Sequence, residues 1–272
     1  MMDKYKIADT KNFKLSAFDP DDVKFWDDGK KEGEKKIKDL RKGLIELQQL
    51  LYAEGKNKLL IVLQAMDAGG KDGTIRSIFQ GVNPQGVKVI NFKAPTQEEL
   101  GHDYLWRIHK HTPKNGEIVI FNRSHYEDVL VVRVHELVPE TRWKNRYHHI
   151  REFEKILADE GTTIIKFFLH ISKDEQKERF LERIENKEKQ WKFNPNDIEE
   201  RKLWPKYMDA FQKAIQETST AYAPWHVIPS NRNWYRDLII LQVLTDSLKN
   251  LKMKYPDPVD DIEKFIPELL QG

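Results

Sequence analysis

Apolar side chains recur at helical spacing from Ile37 through Leu40, Leu44 and Leu47 to Leu51, and the pattern stops at Gly55. That period predicts an amphipathic helix with one face turned to a core. The next apolar run, Leu59-Leu60-Ile61-Val62-Leu63, is short, apolar at every position and followed by glycines. A strand buried on both faces of a parallel sheet has this pattern. Val87 to Phe92, Ile118 to Phe121, Thr163 to Leu169 and the weaker His226 to Pro229 predict further strands.

Helical patterns separate these runs. Thr96 and Glu99 form a capping-box pair predicted to open a helix through Leu105 and Ile108, closed by Pro113. Trp143, Tyr147, Ile150, Phe153 and Leu157 mark another helix, and Ser172 with Glu175 caps a third. Alternating strands and helices predict an α/β fold, a doubly wound parallel sheet of about five strands with ligands at the strands' carboxyl ends. Residues 1–30 show no period and read as an N-terminal arm, leaving 31–272 as a single domain. Between Lys173 and Thr220 the rhythm breaks into a charged helical excursion containing Pro195 and Pro205, expected to be a helical lid at about 173–207.

Composition narrows the function classes. The 46 Lys and Arg nearly balance 44 Asp and Glu, so no overall field draws the chain to nucleic acid or membrane, and an anion site must come from local clustering. The absence of cysteine excludes disulfides and thiolate metal sites. Met1 to Leu15 lacks the apolar run of a signal peptide, and no stretch approaches the roughly 20 apolar residues of a membrane span. The expectation is a cytoplasmic protein. His109, His111, His148 and His149 lack the spacing of a zinc site and are expected at the surface.

The segment Ala65-Met66-Asp67-Ala68-Gly69-Gly70-Lys71-Asp72-Gly73-Thr74 follows the first buried strand. Glycines let backbone N–H groups close around phosphate oxygens, a lysine meets the terminal phosphates, and the helix start adds its dipole. Gly69, Gly70, Lys71 and Gly73 supply these parts. Two positions depart from the usual pattern, Ala65 at the first glycine and Asp72 after the lysine.

After the third strand comes Phe121-Asn122-Arg123-Ser124-His125-Tyr126-Glu127-Asp128. An acidic residue in this place often holds Mg²⁺ in phosphate-loop folds. The expectation is that Asp67 and Asp128 hold the metal across the cleft, with Arg123 on phosphate. Arg179 and Arg183 share a helix face on the excursion, continued by Lys187. The stripe fits either a solvated face or a lid closing on a polyanion. The tryptophans Trp143, Trp191, Trp204, Trp225 and Trp234 read as core or hinge packing.

The stretches Met66 to Gly73, Phe92 to Thr96, Asp103 to Arg107, Phe121 to Val129, Val132 to His135 and Ala223 to Trp225 together resemble the polyphosphate kinase 2 family. The form Asn-Arg-Ser-His-Tyr-Glu-Asp resembles its class III branch, which accepts both nucleoside mono- and diphosphates. Ala65 and Asp72 are ordinary in that family's loop.

The resemblance implies a phosphate-loop kinase fold similar to thymidylate and adenylate kinases. It implies reversible, Mg²⁺-dependent phosphoryl transfer (Mn²⁺ serving as well) between inorganic polyphosphate and adenine or guanine nucleotides, in a homo-oligomeric dimer or tetramer. By the same resemblance Asp67, Lys71, Arg123 and Asp128 are catalytic, with Asp67 and Asp128 on the metal. Gly69, Gly70, Gly73, Thr74, Lys93, Arg133, Arg179 and Arg183 would hold phosphate or polyphosphate. Asn122, Glu127 and Phe79 would contact the nucleotide. The residues alone do not choose polyphosphate over ATP as donor. An ATP-dependent nucleoside monophosphate kinase and a non-catalytic polyanion-binding module remain the alternatives.

Overall fold

The computed structural model describes residues 4–271. Its centre is β1 (Lys58–Ala65), whose alternate side chains enter two separate cores. The strands β2 (Val87–Asn91), β3 (Ile118–Asn122), β4 (Thr162–His170) and β5 (Trp225–Pro229) join it in the order β2-β3-β1-β4-β5, every pairing parallel. The expected doubly wound α/β sheet is therefore present with five strands.

On one face, Leu59, Ile61 and Leu63 meet α1 (Gly29–Glu54) and α2 (Lys71–Ile78), together with α10 (Asn233–Asn250) from near the chain's end. The predicted stripe of α1 is buried at Ile37, Leu40, Leu44 and Leu51, and Gly55 closes the helix in the left-handed conformation. On the other face, Leu60 and Val62 meet α6 (Glu140–Asp159) and α9 (Trp204–Thr218).

The capping box at Thr96 and Glu99 forms as expected, but the helix it opens, α3 (Gln97–Leu100), stops at Gly101. Asp103 then accepts a hydrogen bond from the Leu105 amide, and a separate turn, α4 (Trp106–His109), begins. A local side-chain turn outcompetes helix continuation.

A 3-10 turn, His125–Asp128, and the short α5 (Val131–Val134) follow β3. The excursion opens with α7 (Lys173–Glu185), a 3-10 turn at Gln190–Lys192 and α8 (Asn196–Lys202), and ends in α9. Pro205 does not break it but sits in the first turn of α9, where a missing N–H costs nothing. The chain ends in a 3-10 turn, Ile262–Phe265, and α11 (Ile266–Gln271).

The N-terminal segment lies on the domain. Tyr5, Ile7, Phe13 and Leu15 are buried, and the backbone near Tyr5 and Ile7 bonds to β5. Among the described residues no helix is long and apolar enough to cross a membrane.

Candidate active site

β1 ends at Ala65, and the chain turns through 66–70 into α2. A Cβ on Gly69 would stand 2.5 Å from Ala65 Cβ and 2.7 Å from Met66 O. Gly70 has φ +95°, and a Cβ there would stand 2.5 Å from Arg236 Nη1. Only glycine fits these positions, so the loop's backbone is exposed to whatever occupies the cleft. Lys71 opens α2 and donates from Nζ to Ala65 O at 3.1 Å. Burial, with Arg123 beside it, lowers the ammonium to about 8, against the opposing pull of Asp67, Glu127 and Asp72.

Arg123 stands at the carboxyl end of β3 with φ +62°, a strained setting for a residue with a side chain. Its Nη2 donates to Asp67 Oδ1 at 2.6 Å, and its Nη1 lies 3.5 Å from Glu127 Oε2. Burial opposes its charge, but Glu127 and Asp67 outweigh that and raise its pKa. Asn122 donates to Asp72 Oδ1 and Asn91 Oδ1, tying β2, β3 and α2 together.

The resulting cleft has a volume of about 410 Å³ and is lined by Asp67 to Gly73, Lys93, Asn122, Arg123, Arg183, Lys192, Asn194 and Asp197. Arg183 Nη1 donates to Asp197 Oδ2 at 3.2 Å. Asp197 is raised by burial and then by the negative Asp67, against the pull of Arg183 and Arg123, and both carboxylates line the cleft. Relief of that repulsion suits a divalent cation, which needs only one or two carboxylates when substrate oxygens complete its shell. Among the described residues no group of three or more acidic or histidine side chains is arranged to hold a metal.

Several expected site residues lie elsewhere. Asp128 is turned away from Asp67, into a second cavity of about 420 Å³ lined also by Tyr104, Arg107, Arg142 and Arg146. Its carboxylate accepts from Arg146 Nη1 at 2.8 Å, and burial raises it to about 6 despite Arg146 and Arg107. The expected pairing of Asp67 with Asp128 is not seen in the cavity linings: Asp67 lines the first cavity and Asp128 the second. Arg133 pairs with Asp209, lies over Trp143 and lines a third cavity with Lys206.

Arg179 and Arg183 share a helix face but not their surroundings. The Arg179 guanidinium is held by Glu175, Ala68 O, Ser230 O and Asn231 O, beneath the loop rather than inside the cleft. Thr74 is buried and returns its hydroxyl to Gly70 O. Phe79 ends α2 and packs against the core beneath α1 and α10. Trp191, expected in packing, is 78% exposed. His109, His111, His148 and His149 are exposed as expected.

Sequence reasoning missed Lys192, Asn194 and Asp197 in the cleft and Arg107, Arg142 and Arg146 in the second cavity. Charge density on the excursion was the available signal for the first group, and the Asp103 to Arg107 motif for Arg107.

The sequence model of the family described as Polyphosphate kinase 2 (PPK2) matches residues 27–256. An AMP/ADP-polyphosphate phosphotransferase of Meiothermus ruber is 57% identical over 267 residues, covering 98% of this chain and 100% of that protein. An ADP-polyphosphate phosphotransferase of Rhodopseudomonas palustris is 48% identical over 240 residues, covering 84% of this chain and 82% of that protein. The crystal structure of polyphosphate kinase 2 from Arthrobacter aurescens TC1 superposes with a TM-score of 0.93 at 40% identity, covering 96% of this chain and 94% of that one.

Proposed function

The chain belongs to the polyphosphate kinase 2 family, and on that premise we propose that it transfers phosphoryl groups reversibly between inorganic polyphosphate and the nucleotides AMP and ADP. The observation that carries the donor assignment is the set of five cationic side chains that line the phosphate-loop cleft. Lys71 and Arg123 stand at the loop, and Lys93, Arg183 and Lys192 extend positive charge along the walls. Five cations in one cleft suit a polyanion. The names of the relatives from Meiothermus ruber and Rhodopseudomonas palustris support the same donor.

The donor's terminal phosphoryl group would rest against the amides of Gly69, Gly70 and Gly73 and against Lys71. The acceptor nucleotide would enter by the second cavity, where Arg107, Arg142 and Arg146 offer charge-assisted contacts to its phosphate. Asn122 to Asp128 runs between the two cavities, so Arg123 can neutralise charge where donor and acceptor meet. An acceptor phosphate oxygen forms the new P–O bond while the bond to the polyphosphate chain breaks, and the shortened chain leaves with the electron pair. That oxygen is already largely ionised at neutral pH, so no general base is required.

Asp67 and Asp197, which both line the cleft, would hold a divalent cation, Mg²⁺ or Mn²⁺. It would supply charge neutralisation to the phosphate oxygens. Asp67 keeps its place through Arg123, and Arg183 holds Asp197. We read the 183–202 part of the excursion as the lid, excluding water that would otherwise accept the phosphoryl group.

The Glu127 form of the motif supports the class III branch; guanine nucleotides as further acceptors and a cytoplasmic homo-oligomer are part of the same proposal, by resemblance alone. Purified protein given AMP, polyphosphate and Mg²⁺ should form ADP and then ATP, followed by chromatography over time. Conversion of ADP without any conversion of AMP would remove the class III reading.

A further inference from the structure

A phosphate loop turns its N–H groups toward an anion only by turning carbonyls outward, and outward carbonyls need donors of their own. Here the donors come from α7. Gln176 Nε2 donates to Asp67 O at 2.9 Å, and Arg179 Nη1 donates to Ala68 O at 3.0 Å. Ala68 has φ +58°, so the backbone held by these bonds is one that its own side chain disfavours. Gln176 is 0% exposed, and the connection continues through its other end. Its Oε1 accepts from Arg201 Nη1 of α8 at 3.1 Å, and the same nitrogen donates to Lys173 O at 2.5 Å.

The segment ending in α8 carries Lys192, Asn194 and Asp197, which line the cleft, whereas neither Gln176 nor Arg201 lines it. A continuous path therefore runs from the seating of that segment, through Arg201 and Gln176, to the backbone of Asp67 at the head of the phosphate loop. Displacing α8 would strip Arg201 from a buried amide oxygen, which cannot stay unpaired cheaply. The amide would rotate to find a partner, and Asp67 O would lose its donor.

We propose that Gln176 and Arg201 form a positioning relay, coupling the seating of residues 190–202 to the setting of the Asp67–Gly70 loop. The proposal rests on the phosphotransfer reading of this cleft. Misplacement by about 1 Å at a reacting centre costs up to about 100-fold in rate, so the relay should register in turnover more than in binding.

The test is a double-mutant cycle with Gln176→Met and Arg201→Met, read in kcat, in both KM values and in melting temperature. Each folded single variant should lose about tenfold in kcat, with the AMP KM held within about twofold. The double variant should be no slower than Gln176→Met alone, because the two act in series. Arg201→Lys, which keeps a donor, should recover most of the loss. Multiplying losses, or full kcat in folded Gln176→Met, would overturn the relay. So would losses in kcat that vanish once each variant is assayed well below its own melting temperature. A wild-type protein without polyphosphate-dependent turnover would overturn the functional reading instead, and the relay with it.

Discussion

Replacing Lys166 by methionine tests what holds the Arg123–Asp128 segment in place. Lys166 points from β4 into the core, where its Nζ donates to Glu154 Oε2 at 2.6 Å, Tyr126 OH at 2.8 Å and Thr218 O at 2.8 Å. Both members of the Lys166–Glu154 pair are 0% exposed, and Glu154 also bonds to His125 and Tyr126. Removing the ammonium leaves a buried carboxylate without its counter-charge, which costs ~3–5 kcal/mol. For a chain of this size that lowers the melting temperature by on the order of 10 °C.

The companion variant Lys166→Met/Glu154→Leu removes both charges and should recover much of the loss, since a buried ion pair contributes little over apolar packing. The deficit should also depend on pH. Burial lowers His125 below its ordinary value of 6.5, against the pull of Glu154 and with help from Lys166. A depressed folded pKa gives stability that is present above 6.5 and lost as pH falls through the folded value. Without Lys166 that depression shrinks and His125 takes up its proton more readily beside Glu154. The wild-type-minus-variant gap should therefore narrow from pH 8 to pH 6. Calorimetry at the two pH values gives the answer. A single variant melting within about 2 °C of wild type, or a gap that widens in acid, would refute the reasoning.

Lys71→Ala should lose at least ~100-fold in kcat without loss of fold, measured by turnover and calorimetry together. Because Lys71 is lowered to about 8 in the free protein and must be charged to meet phosphate, kcat/KM for polyphosphate should fall as pH rises through about 8. The basic limb of kcat should lie higher, since bound polyanion favours the ammonium. Arg183→Ala should raise the polyphosphate KM several-fold and weaken its salt dependence. Arg133→Ala should leave that KM within about twofold, because its guanidinium serves another cavity.

The sheet was legible because every strand carried an apolar run, and the phosphate loop because glycines and a lysine followed the first one. Asp128 was not legible as a member of the second cavity. Its direction depends on a 3-10 turn, and a helical reading of the same residues would turn the carboxylate elsewhere. Arg179 and Arg183 show a different limit. Spacing put them on one face, yet one helical turn separates a position beneath the loop from a position on the cleft wall. Lys192, Asn194 and Asp197 reach the cleft only because the chain folds back after α7, and no local pattern records that return. The Lys166–Glu154 pair was equally hidden, since a lone lysine within a strand run reads as exposed until its partner on α6 is known.

The most direct measurement uses polyphosphate labelled with ³²P, incubated with AMP, Mg²⁺ and the purified protein. The account predicts label in the β-phosphate of ADP and then in ATP, and loss of that transfer in Lys71→Ala. Unlabelled nucleotide product, with phosphoryl transfer to AMP seen only when ATP is supplied, would contradict it.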